Sequence, residues 1–266
     1  MSEDYRLSRR DAVKLAGAGL VATTFVGSAA AHGGSGGSGS APGHAYVEYE
    51  RGHGRLSAIG VHIDGDALED LPEEPAAYPL GLPRGNTGHF SYVGLDWNPE
   101  GHPPGDYLHP HFDVHFYLPS EDEIAAIPPG LAAYDIPDEL MPANTVLAPV
   151  REVVPGMGEH LFTLPSGPES AHSVPQDPGN DGWSVFIWGA YDMDGDGEGR
   201  IIFMEPMVTV AYLEGLNSGD RIVRDIPMPE RFYDGGWYPT EFVVAYDGSD
   251  YTISLETFEH FPGYDG

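Results

Sequence analysis

His109-Pro110-His111-Phe112-Asp113-Val114-His115-Phe116-Tyr117 is the stretch on which the reading of the fold turns. Read as a β-strand, whose side chains alternate between faces, it puts His109, His111, Asp113 and His115 on one side and Phe112, Val114 and Phe116 on the other. One face is a row of potential ligands and the other belongs in a core. Pro110 interrupts the pattern before His109, which ranks His109 below His111 and His115.

Outward from this stretch the same signal recurs. Alternating, β-branched or aromatic segments stand at 45–49, 56–63, 89–95, 183–191, 200–203, 207–212, 241–245 and 251–256. With 36 Gly and 25 Pro, and little sustained apolar period near 3.6, a helix-rich fold is disfavoured. Short helices are predicted at 120–126, where Ser120 and Glu123 form a capping box, and at 137–141. No fixed-period repeat suggests a propeller or solenoid. The expected fold class is mainly β, an antiparallel barrel-like or sandwich single domain with short helices, spanning 44–266.

Residues 1–31 read as a twin-arginine signal peptide. Ser8, Arg9, Arg10, Asp11 and Lys14 precede an apolar run over 12–26 and small residues at 28–31. The run is shorter than the roughly 20 residues of a bilayer-spanning helix, and no other stretch is long enough, so no transmembrane segment is expected in the mature protein. A Gly/Ser-rich linker occupies 32–43. The localisation implied is secreted, extracellular or cell-surface, with export in the folded state.

The chain has 42 acidic and 12 basic residues, four of the basic ones (Arg6, Arg9, Arg10 and Lys14) lying in the signal. Beyond the signal there are eight arginines and no lysine. Acidic charge spread along a chain that is 41% hydrophobic suits a folded protein of a halophilic cell, kept hydrated and dispersed where salt screens every charge. A net charge of −30 argues against nucleic acid as a partner. Without cysteine there is no thiol nucleophile or thiolate-bound metal, and without lysine beyond the signal there is no Schiff base. Partners beyond these exclusions, and oligomeric state, are left open.

Chemistry is therefore sought in the histidine strand. Neutral imidazoles with a carboxylate suit a transition metal ion, zinc foremost, with iron, manganese or copper as alternatives. His111 and His115 are the expected ligands of one ion, with Asp113 and His160 joining them and the two imidazoles brought within about 3 to 4 Å. Further ligands are sought among His102, His160, His172 and Glu205, with His160 foremost on a turn after Met157-Gly158-Glu159. Glu205, inside the apolar run 201–210, would be costly to bury unpaired. It reads as an acceptor orienting a ligand histidine ahead of a direct ligand or the partner of an arginine. The alternative for the whole strand is a row of solvated, pH-responsive histidines. The acidic segment 192–198 begins like a calcium loop but has Phe203 where a bidentate Glu is needed, so it reads as a hairpin turn. There is no Gly-x-Ser-x-Gly elbow and no His-Glu-x-x-His helix.

Three blocks, Gly94-Leu95-Asp96-Trp97-Asn98-Pro99-Glu100-Gly101-His102-Pro103-Pro104-Gly105, then Pro110 to Tyr117, then Phe203-Met204-Glu205-Pro206-Met207-Val208-Thr209, resemble an uncharacterised family of secreted bacterial and archaeal proteins with a domain of unknown function. The resemblance spans roughly 90–215 and implies no reaction. A looser likeness to cupins lacks the glutamate that follows their paired histidines. The function expected is a secreted metal-binding β-domain. If it is an enzyme, metal-activated water would make it a hydrolase or lyase. The alternative is a non-catalytic extracellular structural or interaction protein, its Tyr107, Tyr117, Trp97 and Trp237 serving as packing or contact aromatics.

Overall fold

A computed structural model describes residues 41–50, 54–103, 107–167, 169–175 and 181–266. The signal over 1–31 and the linker as far as residue 40 lie outside the described residues. The strands are β1 (Gly43–Tyr49), β2 (Leu56–Asp64), β3 (Ala76–Gly81), β4 (Tyr92–Asn98), β5 (His111–Tyr117), β6 (Gly130–Leu131) and β7 (Thr145–Val146). They continue with β8 (Glu152–Val154), β9 (Gly158–Thr163), β10 (Ser184–Tyr191), β11 (Arg200–Thr209), β12 (Arg221–Asp225), β13 (Gly236–Tyr246) and β14 (Asp250–Phe261). Two short helices, α1 (Glu121–Ala125) and α2 (Val210–Glu214), are inserted between strands. Among the described residues no helix is long and apolar enough to cross a membrane.

The strands form two antiparallel sheets packed as a sandwich, not a closed barrel. The smaller sheet has the order β1-β2-β14-β13-β12, and the larger runs β3-β4-β5-β11-β10-β9-β8-β6, with β7 also on β9. Strand periodicity decides what each sheet turns inward. From the small sheet come Ile59, Val61, Ile63, Ile253, Leu255, Phe242 and Val244, all buried. Phe112, Val114 and Phe116 of β5 meet them beside Phe186 and Trp188 of β10. Phe186 reaches Phe242 across the interface at 6.1 Å between ring centroids. Burying such side chains stabilises the fold by about 1.5–3 kcal/mol each.

The expected helix at 120–126 forms as α1, because Ser120 Oγ accepts from the Glu123 N–H while the Glu123 carboxylate accepts from the Ser120 N–H. The segment at 137–141 forms a single 3₁₀ turn, Asp138–Leu140. The segments at 200–203 and 207–209 are one strand through Pro206, but residues 210–212, expected as strand, form the start of α2, which Thr209 caps by accepting from the Tyr212 N–H. The acidic segment is a hairpin turn joining β10 to β11. The Asp192 carboxylate there accepts from the N–H groups of Gly195, Asp196 and Gly197.

A feature of the larger sheet bears on the site. Gly189 of β10 lies opposite Phe203 of β11, on the sheet face turned away from the small sheet. A Cβ at Gly189 would overlap the Phe203 ring, so only glycine leaves room for that ring to lie flat across the strand. Gly94 of β4 plays a milder version of this part opposite His115, where a Cβ would come within 3.2 Å of the Tyr117 ring. Substituting Gly189→Ala must therefore displace Phe203. Urea unfolding is expected to show a loss of about 3 kcal/mol, at the high end for overpacking; a loss under roughly 0.5 kcal/mol, the scale of an ordinary surface change, would show that the ring has an easy alternative.

Candidate metal centre

Strand β5 is buried along its whole length, so both of its faces are covered. Cross-strand register fixes the outer face: His111, Asp113 and His115 of β5 stand opposite Asn98, Asp96 and Gly94 of β4. On the other side, Thr209 and Met207 of β11 face His111 and Asp113. Over His111 lie the rings of Trp183, 5.2 Å away, and His102, 4.8 Å away. The reading of β5 as an exposed row of solvated histidines does not hold, since His111 is 0% and His115 1% exposed.

The structure sorts the acidic and imidazole side chains into two groups capable of holding a metal ion, His102, His111 and Asp113 in one and His115, His160 and Glu205 in the other. In the first, His111 Nε2 is 3.0 Å from Asp113 Oδ1 and His102 Nε2 is 3.3 Å from Asp113 Oδ2. Both histidines place Nδ1 against a main-chain carbonyl, His111 on His109 O at 2.6 Å and His102 on Pro103 O at 2.9 Å. A carbonyl only accepts, so each Nδ1 donates its N–H there and each Nε2 is turned toward Asp113. Asn98 Nδ2 donates to Asp113 Oδ2 at 2.9 Å and fixes that carboxylate. Asp113 Oδ1 and His111 Nε2 face each other as a close ion-pair contact and make no other hydrogen bond among the described residues. Such a contact accommodates either a shared proton or a metal ion.

Three strands build the second group. His115 of β5 and Glu205 of β11 are neighbours, with Nε2 to Oε1 at 3.4 Å, and His160 of β9 reaches Glu205 Oε2 from the far side at 3.7 Å. Neither ring nitrogen of His115 has a hydrogen-bond partner, and neither does Glu205 Oε2. Phe203, held flat by Gly189, supports the edges of both imidazoles at 5.0 and 5.5 Å. Tyr117 stacks on His115 at 5.3 Å. Two donors each about 2.1 Å from a four-coordinate ion stand about 3.4 Å apart. The imidazole-to-carboxylate separations in both groups, from 3.0 to 3.7 Å, bracket that edge.

Family models, curated proteins and solved structures all contain no match to this chain. Its chemistry is therefore read from its own groups. Burial pushes His115 down to about 4, and burial together with His115 and His102 pushes His160 down to about 3, so both imidazoles are neutral with lone pairs free for a metal. Burial first, then the charges of Asp113 and Asp96, raise the Glu205 carboxyl well above its usual range. Burial would also raise Asp113, but His111 and His102 outweigh it and hold that carboxylate well below its usual range. For His102, burial works downward and the charge and hydrogen bond of Asp113 prevail, raising it.

Compared with the sequence expectation, the geometry makes several corrections. His111 and His115 do not share a group. Four residues along a strand advance about 13 Å, too far for parallel side chains to meet, whereas the two-residue step from His111 to Asp113 brings their side chains together. His160 is delivered by strand β9 and not by a turn. Glu205 has no arginine partner among the described residues, and its carboxylate lies between two imidazoles as a ligand would. His172 lies outside both groups, buried with Nδ1 on Ser170 O at 2.8 Å.

Two contributors are poorly visible in the sequence. His102 ranks low there because Pro103 and Pro104 conceal the loop that carries it. That loop folds back at Gly101, whose φ is +69° and where a Cβ would strike the Tyr107 carbonyl. Asp96 lies opposite Asp113, with Oδ2 3.5 Å from His115 Nδ1. Alternation back from the block Asp96-Trp97-Asn98 puts Asp96 and Asn98 on one face, the signal that could have found it.

Unpaired buried donors and acceptors carry a desolvation cost, which a bound ion could offset. Replacing Glu205 with the similarly sized, apolar Met is expected to raise the urea stability of the chelator-treated protein by about 1–3 kcal/mol and to reduce, without abolishing, the further gain on adding zinc, since His102, His111 and Asp113 keep their own group. Lower stability of Glu205→Met in chelator would show instead that the carboxylate is structurally paired.

Proposed function

We propose that this protein is an exported, acidic β-sandwich of a salt-adapted cell that binds a transition metal ion, zinc ahead of iron, manganese or copper, through histidine and carboxylate side chains on the outer face of β5. One observation carries the reading: His111 Nε2 and Asp113 Oδ1 face each other 3.0 Å apart, buried and with no other partner among the described residues, while the other ring nitrogen of His111 is tied to a main-chain carbonyl. That arrangement orients an imidazole for a metal. Donors of nitrogen and carboxylate oxygen favour a borderline ion over calcium or magnesium. Export rests on the twin-arginine pattern, and salt adaptation on the lysine-free acidic chain after it.

A catalytic version has its own support. Each group supplies three side chains, the number found at catalytic zinc, where water takes the fourth position. In each group one histidine is partly open to solvent, His102 at 22% and His160 at 21% side-chain exposure. Trp183, beside His111, has a buried Nε1–H without a hydrogen-bond partner, a donor suited to an oxygen held on an ion there. The reaction class would be hydrolysis or elimination by metal-activated water, with Asp96 in place to hold a proton near His115.

Thermal and urea unfolding of chelator-stripped protein in high salt, with each metal in turn, tests the reading. Zinc at about 100 times its dissociation constant is expected to add about 2.7 kcal/mol, with calcium and magnesium at the same concentration adding nothing. No stabilisation by zinc, iron(II), manganese or copper would return the histidine strand to a structural role.

A further inference from the structure

Resting on that metal-centre reading, we propose that His115, His160 and Glu205 form a second ion site, separate from the one at His102, His111 and Asp113 and holding its ion more tightly. The separation comes from the strand. His111 and His115 are four residues apart on one face, and each has its own carboxylate, Asp113 for the first and Glu205 for the second. Each group also has its own unpartnered buried atoms, Asp113 Oδ1 and His111 Nε2 against Glu205 Oε2 and both nitrogens of His115. A single ion could satisfy only one set.

The difference in grip comes from what carries the ligands. Two of the first group's three side chains are on β5, and the third, His102, is on the loop that turns back at Gly101. All three ligands of the second group are on adjacent paired strands, β5, β11 and β9 through β10, and Phe203 packs under both imidazoles. Ligands held by strands lose less freedom on binding than one held by a loop. The second site has a further positioning residue in Asp96. Its Oδ2 lies 3.5 Å from His115 Nδ1, a few tenths of an ångström beyond a hydrogen bond, so a small rotation lets it accept from Nδ1–H when Nε2 ligates. An acceptor behind a ligand imidazole raises its basicity and fixes its tautomer; its loss typically costs about 10–100-fold in metal affinity.

The experiment is zinc stoichiometry by elemental analysis after equilibrium dialysis of the full chain, with zinc release to a chromogenic chelator monitored in time. Wild type is compared with His102→Gln, His160→Gln and Asp96→Asn, each checked for native near-ultraviolet circular dichroism. His102 and His160 are the partly exposed ligands, so glutamine there spares the core. Two equivalents are expected in wild type, released in a fast and a slow phase. The His102→Gln variant should keep only the slow phase and His160→Gln only the fast one. Asp96→Asn should accelerate the slow phase by about 10–100-fold and leave the fast one unchanged. One equivalent in wild type, lost in either histidine variant, would mean a single shared ion and overturn the second site while the metal-centre reading stands. One equivalent lost only in His102→Gln would overturn it as well. Two equivalents with the fast phase lost in His160→Gln would reverse the assignment of grip. No zinc in any protein would defeat both readings.

Discussion

The contact between His111 Nε2 and Asp113 Oδ1, buried and 3.0 Å apart with no other hydrogen-bond partner for either among the described residues, is the constraint on which the rest of this structure depends. Desolvating such a pair is unfavourable unless a cation joins it. Everything around it keeps it in place. Phe112 and Val114 anchor the same strand in the core, Asn98 holds the second oxygen of Asp113, and the His109 carbonyl accepts from His111 Nδ1. A protein that needed only stability would place apolar side chains here, so the cost points to a ligand.

Much of this is legible in the sequence, and for a physical reason. Strand periodicity is a local property, so the two faces of β5, the mainly β class and the capping box of α1 can be read from the residues themselves. The sandwich, as against a barrel, depends on which strands pair across the chain, and nothing local encodes that. His160 stands out in the sequence as a residue but reads as part of a turn, because a Gly158 beside Met157 gives the same signal at the start of a strand. The assignment of His111 and His115 to one ion fails on length: alternation tells which face a side chain is on and not how far along it stands. His102 and Asp96 carry little weight in the sequence because their partners are distant along it, joined by a loop that only the positive φ of Gly101 allows to fold back.

Glycine also links the core to the site. Gly189 clears the space in which Phe203 lies, and Phe203 in turn supports the imidazoles of His115 and His160. Packing therefore sets the placement of those two imidazoles, and their neutral state results from the same burial. In an acidic protein most carboxylates face water and could only attract cations loosely. Asp113 and Glu205 differ because each is enclosed with imidazoles at ligand spacing.

X-ray absorption at the zinc edge, on the full chain loaded with zinc in high salt, tests the central claim most directly. The spectrum expected has a first shell of nitrogen and oxygen at about 2.0–2.1 Å together with the outer-shell scattering that imidazole rings produce. A first shell of oxygen alone, without imidazole scattering, would place the ion on surface carboxylates and contradict a metal centre on β5.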